Sequence, residues 1–234
     1  MPTPDRADTG VNGTYADLAA EYYDPKRHPT CANFREASRL LIVPWLRRLA
    51  RNGVDVLETG AGASLVSEWL GEESPELGTL VVSDSSQDML RYSANSGVCA
   101  ELVVCDAQHV PYASLSFDLV VASLGDSYNA LPFWIEAARI LRPSGHVLFT
   151  TPAFEWALQF RKGSNTAEFV MSDETLIAVP SFVEPVEVQH RLIEASGLRV
   201  IEVRTVKDIE IHRTPRSPKL RSGPIVSGYL AQKE

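Results

Sequence analysis

From residue 54 onward, short apolar runs alternate with helix-like stretches. This predicts an α/β fold on a doubly wound, mostly parallel seven-stranded sheet. The runs at 54–58, 79–83, 101–105, 117–122 and 146–150 are continuously apolar rather than alternating. That pattern belongs to strands covered by helices on both faces. After residue 198 the rhythm changes. A long strand at 198–211 and a last one at 225–230 are joined by a loop with Pro215, Pro218 and Pro224 and no helix. Strands joined that way pair antiparallel, so the sheet should end in a C-terminal hairpin.

The other elements follow in chain order. Residues 1–12 are polar, hold Pro2, Pro4 and Gly10, and read as a flexible N-terminus. Residues 13–52 read as lid helices. The first covers 15–23 and is broken by Pro25 and Pro29. The second, over 33–51, places Phe34, Ala37, Leu41 and Leu46 at helical spacing and ends in Arg47, Arg48 and Arg51, the charge that suits a helix C-terminus. Pro44 should kink it or divide it. The core spans 53–234, with helices at 64–70, 87–96, 133–141 and 185–196. An insertion at about 153–181 carries Phe154, Trp156, Phe160, Phe169 and Met171, apolar surface for a pocket or a lid.

The chain has 234 residues, 44% hydrophobic and 22% charged, which suits one α/β domain with a sizeable core. A net charge of −8 argues against a nucleic-acid binder, which needs a basic face for phosphates. Cys31, Cys99 and Cys105 are scattered, with no C-x-x-C pair, so neither a metal site nor a disulfide framework is expected. The start shows no basic-then-apolar signal pattern, and no apolar run reaches the length of a membrane span. The expectation is a cytoplasmic protein without a membrane partner, monomeric or homodimeric.

The most informative segment is 54–64, where an apolar strand ends in Glu58 and runs into Gly60-Ala61-Gly62. Glycines lack Cβ and take φ > 0, so such a turn lets a ligand approach bare backbone. A pyrophosphate turn of the G-x-G-x-x-G type would need glycine where Leu65 stands, and a carboxylate at Glu58 would oppose its anion. The turn should therefore favour a nucleotide-like cation. Glu58, Asp84, Asp106 and Asp126 all fall at or just beyond strand ends, which converge on one crevice in this fold. Asp84 can accept from both ribose hydroxyls. Asp106 can accept from an exocyclic amine, beside Ala107 and Gln108, with Leu65, Met89 or Val110 against the base.

These segments resemble the class I S-adenosylmethionine-dependent methyltransferases, and do so in order over nearly the whole chain. Val56-Leu57-Glu58-Thr59-Gly60-Ala61-Gly62-Ala63-Ser64 is similar to that family's first motif, with Ser64 in place of a third glycine. Asp84-Ser85-Ser86-Gln87-Asp88-Met89-Leu90 resembles its acidic loop, and Cys105-Asp106-Ala107 its adenine segment. The stretches 116–121, 140–146 and 15–24 resemble its fourth strand, its helix-to-strand turn and its N-terminal helix. The resemblance implies a Rossmann-like methyltransferase fold that binds S-adenosylmethionine and releases S-adenosylhomocysteine. It implies cofactor contacts from Tyr22, Glu58, Gly60, Ala61, Gly62, Asp84, Ser85, Met89, Asp106, Ala107, Gln108 and Ser123. The cofactor carboxylate would take donors from the glycine turn, Tyr22, Tyr23 or Arg35. A net-cationic cofactor agrees with a crevice ringed by carboxylates.

Methyl transfer is an in-line displacement, so positioning supplies much of the rate, and a base is needed only where the acceptor's proton must leave. Asp126 and Tyr128, in the loop 123–129, and His28, in the lid, are the candidates for orienting or deprotonating an acceptor. Helix capping, packing and solvated-loop roles compete with each of them. The basic run from His212 to Arg221 reads as a solvated loop, with an anionic substrate group as the sharper alternative. The function expected is methyl transfer to O or N of a small-molecule metabolite. The rivals are a protein of the same fold that binds cofactor without methylating, one that uses it for another reaction, and an NAD-type oxidoreductase.

Overall fold

The computed structural model describes residues 10–234 apart from 52, 95, 162 and 163. The flexible segment expected at the start lies mostly outside the described residues. Asn12 is tied down: its side chain accepts from the Ala178 N–H at 2.7 Å and donates to the Leu176 carbonyl at 3.1 Å.

The strands are β1 (Val56–Glu58), β2 (Leu80–Asp84), β3 (Glu101–Val104), β4 (Phe117–Ala122), β5 (Leu141–Pro152), β6 (Thr166–Val170), β7 (Leu176–Pro180), β8 (Leu198–Lys207) and β9 (Pro224–Lys233). Seven of them form one sheet in the order β3-β2-β1-β4-β5-β9-β8, and β6 with β7 forms a separate hairpin. Pairing is parallel from β3 through β5. β9 then runs antiparallel to both β5 and β8, as the sequence predicts for the tail. The strand order reverses direction between β1 and β4. Ligands of open α/β sheets bind outside the carboxyl ends of the strands at such a switch point.

The helices are α1 (Tyr15–Leu18), α2 (Pro29–Leu49), α3 (Leu65–Glu73), α4 (Gln87–Ala94), α5 (Leu131–Ile140), α6 (Phe154–Arg161) and α7 (Val186–Glu194). They cover both faces of the sheet, and the strand residues divide accordingly. Val56, Leu80, Val82, Leu119 and Val121 pack with α2 and α3 on one face. Leu57, Val81 and Val120 pack with Phe133, Trp134 and Ile193 on the other. A strand presents alternate residues to opposite faces, so two buried faces require an unbroken apolar run. A smaller cluster joins Leu18 to Ile177 and Val179, which seats α1 against the β6–β7 hairpin.

Two local expectations need correction. Pro44 neither ends nor divides α2, which runs unbroken over 21 residues. An interior proline costs about 3 kcal/mol. Here it faces solvent, while Leu41, Ile42, Trp45 and Leu46 are buried against the sheet, each contributing roughly 1.5–3 kcal/mol. Burial outweighs the break. Pro29 opens α2 at a position where its missing N–H is harmless, four residues ahead of the expected start at 33. The first lid helix is also shorter than expected: α1 stops at Leu18 and continues as turns to Tyr23. No helix among the described residues is long and apolar enough to cross a membrane.

Candidate active site

Glu58 closes β1 with its side chain fully buried. Its carboxylate accepts from the Leu65 N–H at 2.9 Å, from the Val66 N–H at 3.2 Å and from the Ser64 hydroxyl. Ser64 is the N-cap of α3, its hydroxyl also accepting from the Ser67 N–H at 2.8 Å. Together they satisfy the orphan donors of the helix start and set a negative charge at its positive end. Burial pushes the Glu58 carboxyl up to about 7, against the pull of these donors and of Arg35. Glu58 therefore does not ring the ligand crevice. Its role as a cofactor contact is corrected to that of a helix-terminal anchor for the glycine turn.

The turn bends as expected, with φ of +58° at Gly60 and +51° at Gly62. The space freed by the missing Cβ atoms is taken by protein. A Cβ on Gly60 would lie 2.5 Å from Tyr128 Cε1, and one on Gly62 would collide with the Tyr23 hydroxyl. The Tyr128 hydroxyl donates to the Thr59 carbonyl at 2.9 Å, and the Tyr23 hydroxyl accepts from the Ala63 N–H at 2.7 Å. Both tyrosines thus fasten the turn. With its hydroxyl so engaged, Tyr128 is a positioning residue of the turn rather than a group free to deprotonate an acceptor.

A cavity of about 780 Å³ opens at the switch point. Tyr22, Gly60, Ala61, Asp84, Ser85, Met89, Asp106, Ala107, Gln108, Ser123 and Tyr128 all line it, so the structure brings these expected residues together. Gly62 and Glu58 do not line it, and neither do Leu65 and Val110, both core residues. Asp84 accepts from the Gly62 N–H at 2.9 Å and the Ser86 N–H at 2.8 Å, one per carboxylate oxygen. Burial raises the Asp84 carboxyl above its ordinary value, against these backbone donors. Each oxygen keeps a further lone pair for a ligand hydroxyl. Asp106 is held by the Gln108 N–H at 2.9 Å at the same rim.

A second cavity of about 540 Å³ abuts the first, sharing Tyr15, Tyr22, Cys31 and Leu124 as a common wall. It lies between the start of α2, helix α6, the β6–β7 hairpin and the β8–β9 loop. Its apolar lining includes Phe34, Trp156, Phe160 and Phe169, so the insertion does supply pocket surface. His28 and Asp126 line this cavity and not the first. His28 is 8% exposed, and its Nε2 has no hydrogen-bond partner among the described residues. Burial lowers its pKa below the ordinary histidine value, with Glu21 and Asp24 pulling the other way and Arg27 adding to burial. Asp126 is buried beside Arg161 at 3.6 Å and accepts from the Ser181 hydroxyl. Burial raises its pKa, and Arg161 and Ser181 oppose that shift. Its carboxylate is committed to this pair, so Asp126 joins neither a carboxylate ring nor an open base site.

The sequence reading gave no site role to Glu68 at the first cavity or to Arg27, Arg161 and Glu168 at the second; Arg213 at the first and Lys219 at the second stood there only as part of a basic run. Arg213 and Lys219 belong to the basic run read as a solvated loop. That loop is pinned to α2: Asn33 accepts from the Ser217 N–H at 2.8 Å, and Glu36 accepts from the N–H groups of His212 and Arg213 at 3.1 and 2.9 Å. A buried asparagine in an amphipathic helix was the one sequence clue, and its partner lies 184 residues away. Arg35 lines the first cavity already paired with Glu68 at 2.7 Å. With that pair neutralised, Asp84 and Asp106 outweigh Arg213 in the charge around the cavity.

This lining fits S-adenosylmethionine: a carboxylate with free lone pairs, a net negative rim for a net cation, and Met89 and Ala107 as apolar contacts for a base. The methyltransferase domain family matches residues 57–149, from β1 into β5. The chain is 26% identical over 104 residues to the ubiquinone/menaquinone biosynthesis C-methyltransferase UbiE of Cupriavidus pinatubonensis, covering 42% of this chain and 43% of the relative. It is 32% identical over 99 residues to the mitochondrial arginine-hydroxylase NDUFAF5 of Danio rerio, covering 42% of this chain and 30% of the relative. The chain thus spans less than half the length of these curated relatives. The solved structure of an S-adenosylmethionine-dependent methyltransferase from Clostridium acetobutylicum superposes with a TM-score of 0.65 at 14% identity, covering 94% of this chain and 98% of that one. Sheet order, glycine turn and cavity lining agree with these likenesses: residues 57–149 match the methyltransferase domain family, and the chain shares the Rossmann-like fold of solved S-adenosylmethionine-dependent methyltransferases.

Proposed function

We propose that the protein transfers the methyl group of S-adenosylmethionine to O or N of a small-molecule acceptor, with cofactor in the first cavity and acceptor in the second. The observation that carries this reading is the shared wall of Tyr15, Tyr22, Cys31 and Leu124 between a carboxylate-lined and an aromatic-lined cavity. It allows two ligands to meet across one wall, the proximity an in-line displacement needs.

The cofactor, when bound, supplies an electrophilic methyl on a sulfonium. The chain supplies the rest. Asp84 takes the ribose hydroxyls, Asp106 with Ala107 and Gln108 reads the base, and Arg213 or the Gly60–Ala61 backbone faces the carboxylate. His28, a lining residue of the second cavity whose pKa is lowered by burial, is the group that would take the acceptor's proton. Asp126 and Arg161 hold the floor between α6 and the loop after β4. The free cysteines Cys31, Cys99 and Cys105 suit a reducing, cytoplasmic setting, with the protein as a monomer or homodimer.

The test is thermal unfolding with S-adenosylmethionine, S-adenosylhomocysteine and NAD, followed by mass analysis of products from a small-molecule screen. A ligand at about a hundred times its dissociation constant should stabilise the fold by about 2.7 kcal/mol. Stabilisation by NAD alone would refute the reading. A second reading keeps the cofactor and changes the reaction, favoured by the zebrafish relative's name as a hydroxylase. A product that has gained oxygen rather than a methyl group would select it. A product methylated at carbon, as in the UbiE relatives' name, would correct the acceptor atom.

A further inference from the structure

We propose that Leu124 is the specificity-determining residue of the wall between the two cavities, where it limits the alkyl group on the cofactor's sulfonium to a methyl. The inference rests on the reading of the first cavity as the cofactor site and the second as the acceptor site.

Leu124 is one of four residues that line both cavities, with Tyr15, Tyr22 and Cys31. Its backbone sets it apart. With φ of +55° and ψ of +50° it lies in the left-handed region, which a bulky side chain rarely adopts. Such a conformation costs free energy and persists only where the surroundings over-determine it. Glycine would relieve it, and the chain places leucine there instead.

The surroundings that hold Leu124 are buried and rigid. Its N–H donates to Thr150 Oγ1, on β5, at 2.8 Å. Thr150 is fully buried, and its hydroxyl lies 2.7 Å from that of Ser38 on α2. The Ser38 hydroxyl lies 2.7 Å from that of Ser123, so residues 123 and 124 are both tied to one chain of hydroxyls. On the C-terminal side Gly125 presses on the core, since a Cβ there would lie 2.6 Å from Phe149 Cε2. Tyr128, three residues further on, is fastened to the Thr59 carbonyl at 2.9 Å. The loop is thus fixed to β5 at one end and to the glycine turn at the other. Tyr15 and Tyr22, which meet edge to face at 5.8 Å, come from α1 and the turns after it. Leu124 is therefore the side of the wall anchored to the sheet.

That place decides what the wall measures. With the ribose at Asp84 and the base at Asp106, the third substituent on sulfur must face the shared wall to reach an acceptor beyond it. A wall that yields would admit a longer group by shifting. One held by buried hydrogen bonds and close packing meets an added methylene as overpacking.

The experiment is calorimetric binding of S-adenosylmethionine, S-adenosyl-L-ethionine and S-adenosylhomocysteine. The second differs from the first by one methylene on sulfur, and the third carries no such group and reports the rest of the site. The native protein should bind the ethyl sulfonium about tenfold more weakly than the methyl one. Leu124→Ala should bring the two to within about twofold, and so should Leu124→Gly, which suits the left-handed backbone should alanine impair folding. Leu124→Met, close to leucine in volume, should keep the native ratio. Thr150→Val removes the acceptor of the Leu124 N–H and should lower the ratio with the leucine still present. Equal binding of the two sulfonium ligands by the native protein would overturn the proposal. So would a ratio that survives both small substitutions, is lost in Leu124→Met, or is unmoved by Thr150→Val. Failure of the native protein to bind S-adenosylhomocysteine would instead overturn the cofactor reading itself.

Discussion

The carboxylate of Glu58 accepts the backbone N–H of Leu65 at 2.9 Å, tying the end of β1 to the start of α3 across the glycine turn. Because burial raises its pKa to about 7, this group binds a proton more tightly in the folded chain than in the unfolded one. Its contribution to stability is fully present below the unfolded value near 4.5 and fades as pH rises through about 7. Unfolding free energy should therefore fall between about pH 5 and about pH 8 more steeply in the native protein than in Glu58→Gln. The difference should be on the order of 2–3 kcal/mol. Parallel pH profiles for the two proteins would reject the buried, proton-binding role.

Tyr23 and Gly62 should be energetically coupled. Gly62→Ala places a methyl in a left-handed backbone position and against the Tyr23 hydroxyl. It should destabilise by roughly 1–3 kcal/mol. In a Tyr23→Phe background the colliding atom is gone, so the alanine should cost less there, by at least about 0.5 kcal/mol. Strict additivity in a denaturant double-mutant cycle would show that the lid does not press on the turn.

Asp84 lies at the crossing of turn and cavity. Asp84→Asn keeps an acceptor for one backbone donor but loses the charge, and should weaken S-adenosylhomocysteine at least about tenfold by calorimetry. Unchanged affinity would remove Asp84 from the ribose contact.

His28 should set the acidic limb of the pH–rate profile. Its pKa is lowered by burial, so the neutral, proton-accepting form predominates from below the usual histidine value of about 6.5 upward. The rate should rise with pH through a limb below about 6.5 and stay flat above it. His28→Ala should lower turnover roughly a hundredfold with little change in cofactor affinity. A variant that keeps the native limb would show that the acceptor needs no base from His28.

Much of the fold was legible because its cause is local. The unbroken apolar strands at Leu80–Asp84 and Phe117–Ala122 announce two covered faces, and the helix-free connection after β8 announces an antiparallel end. Asp84 and Asp106 were readable for the same reason: strand ends place them at the crevice whatever the side-chain details. Glu58 was misread because its partners are decided by where α3 begins. Ser64 ahead of an apolar helical stretch is an N-cap signal, and weighing it would have pointed to the anchor role. Arg161 was not legible, and Arg213 and Lys219 were read only as a basic run, because each reaches its cavity through contacts with elements far away in the chain.

The amino-acid sequence by itself determined the sheet, the order of its motifs and the cofactor class, since periodicity, glycine placement and strand-end carboxylates act over a few residues. Only the tertiary structure decided how those groups are used. Packing buried Glu58 against a helix start, set Tyr23 and Tyr128 over the two glycines, paired Asp126 with Arg161, and folded a basic loop over α2 to close a second cavity. Charge and hydrogen-bonding capacity belong to the residue. Which partner satisfies them depends on distances that only the assembled chain fixes.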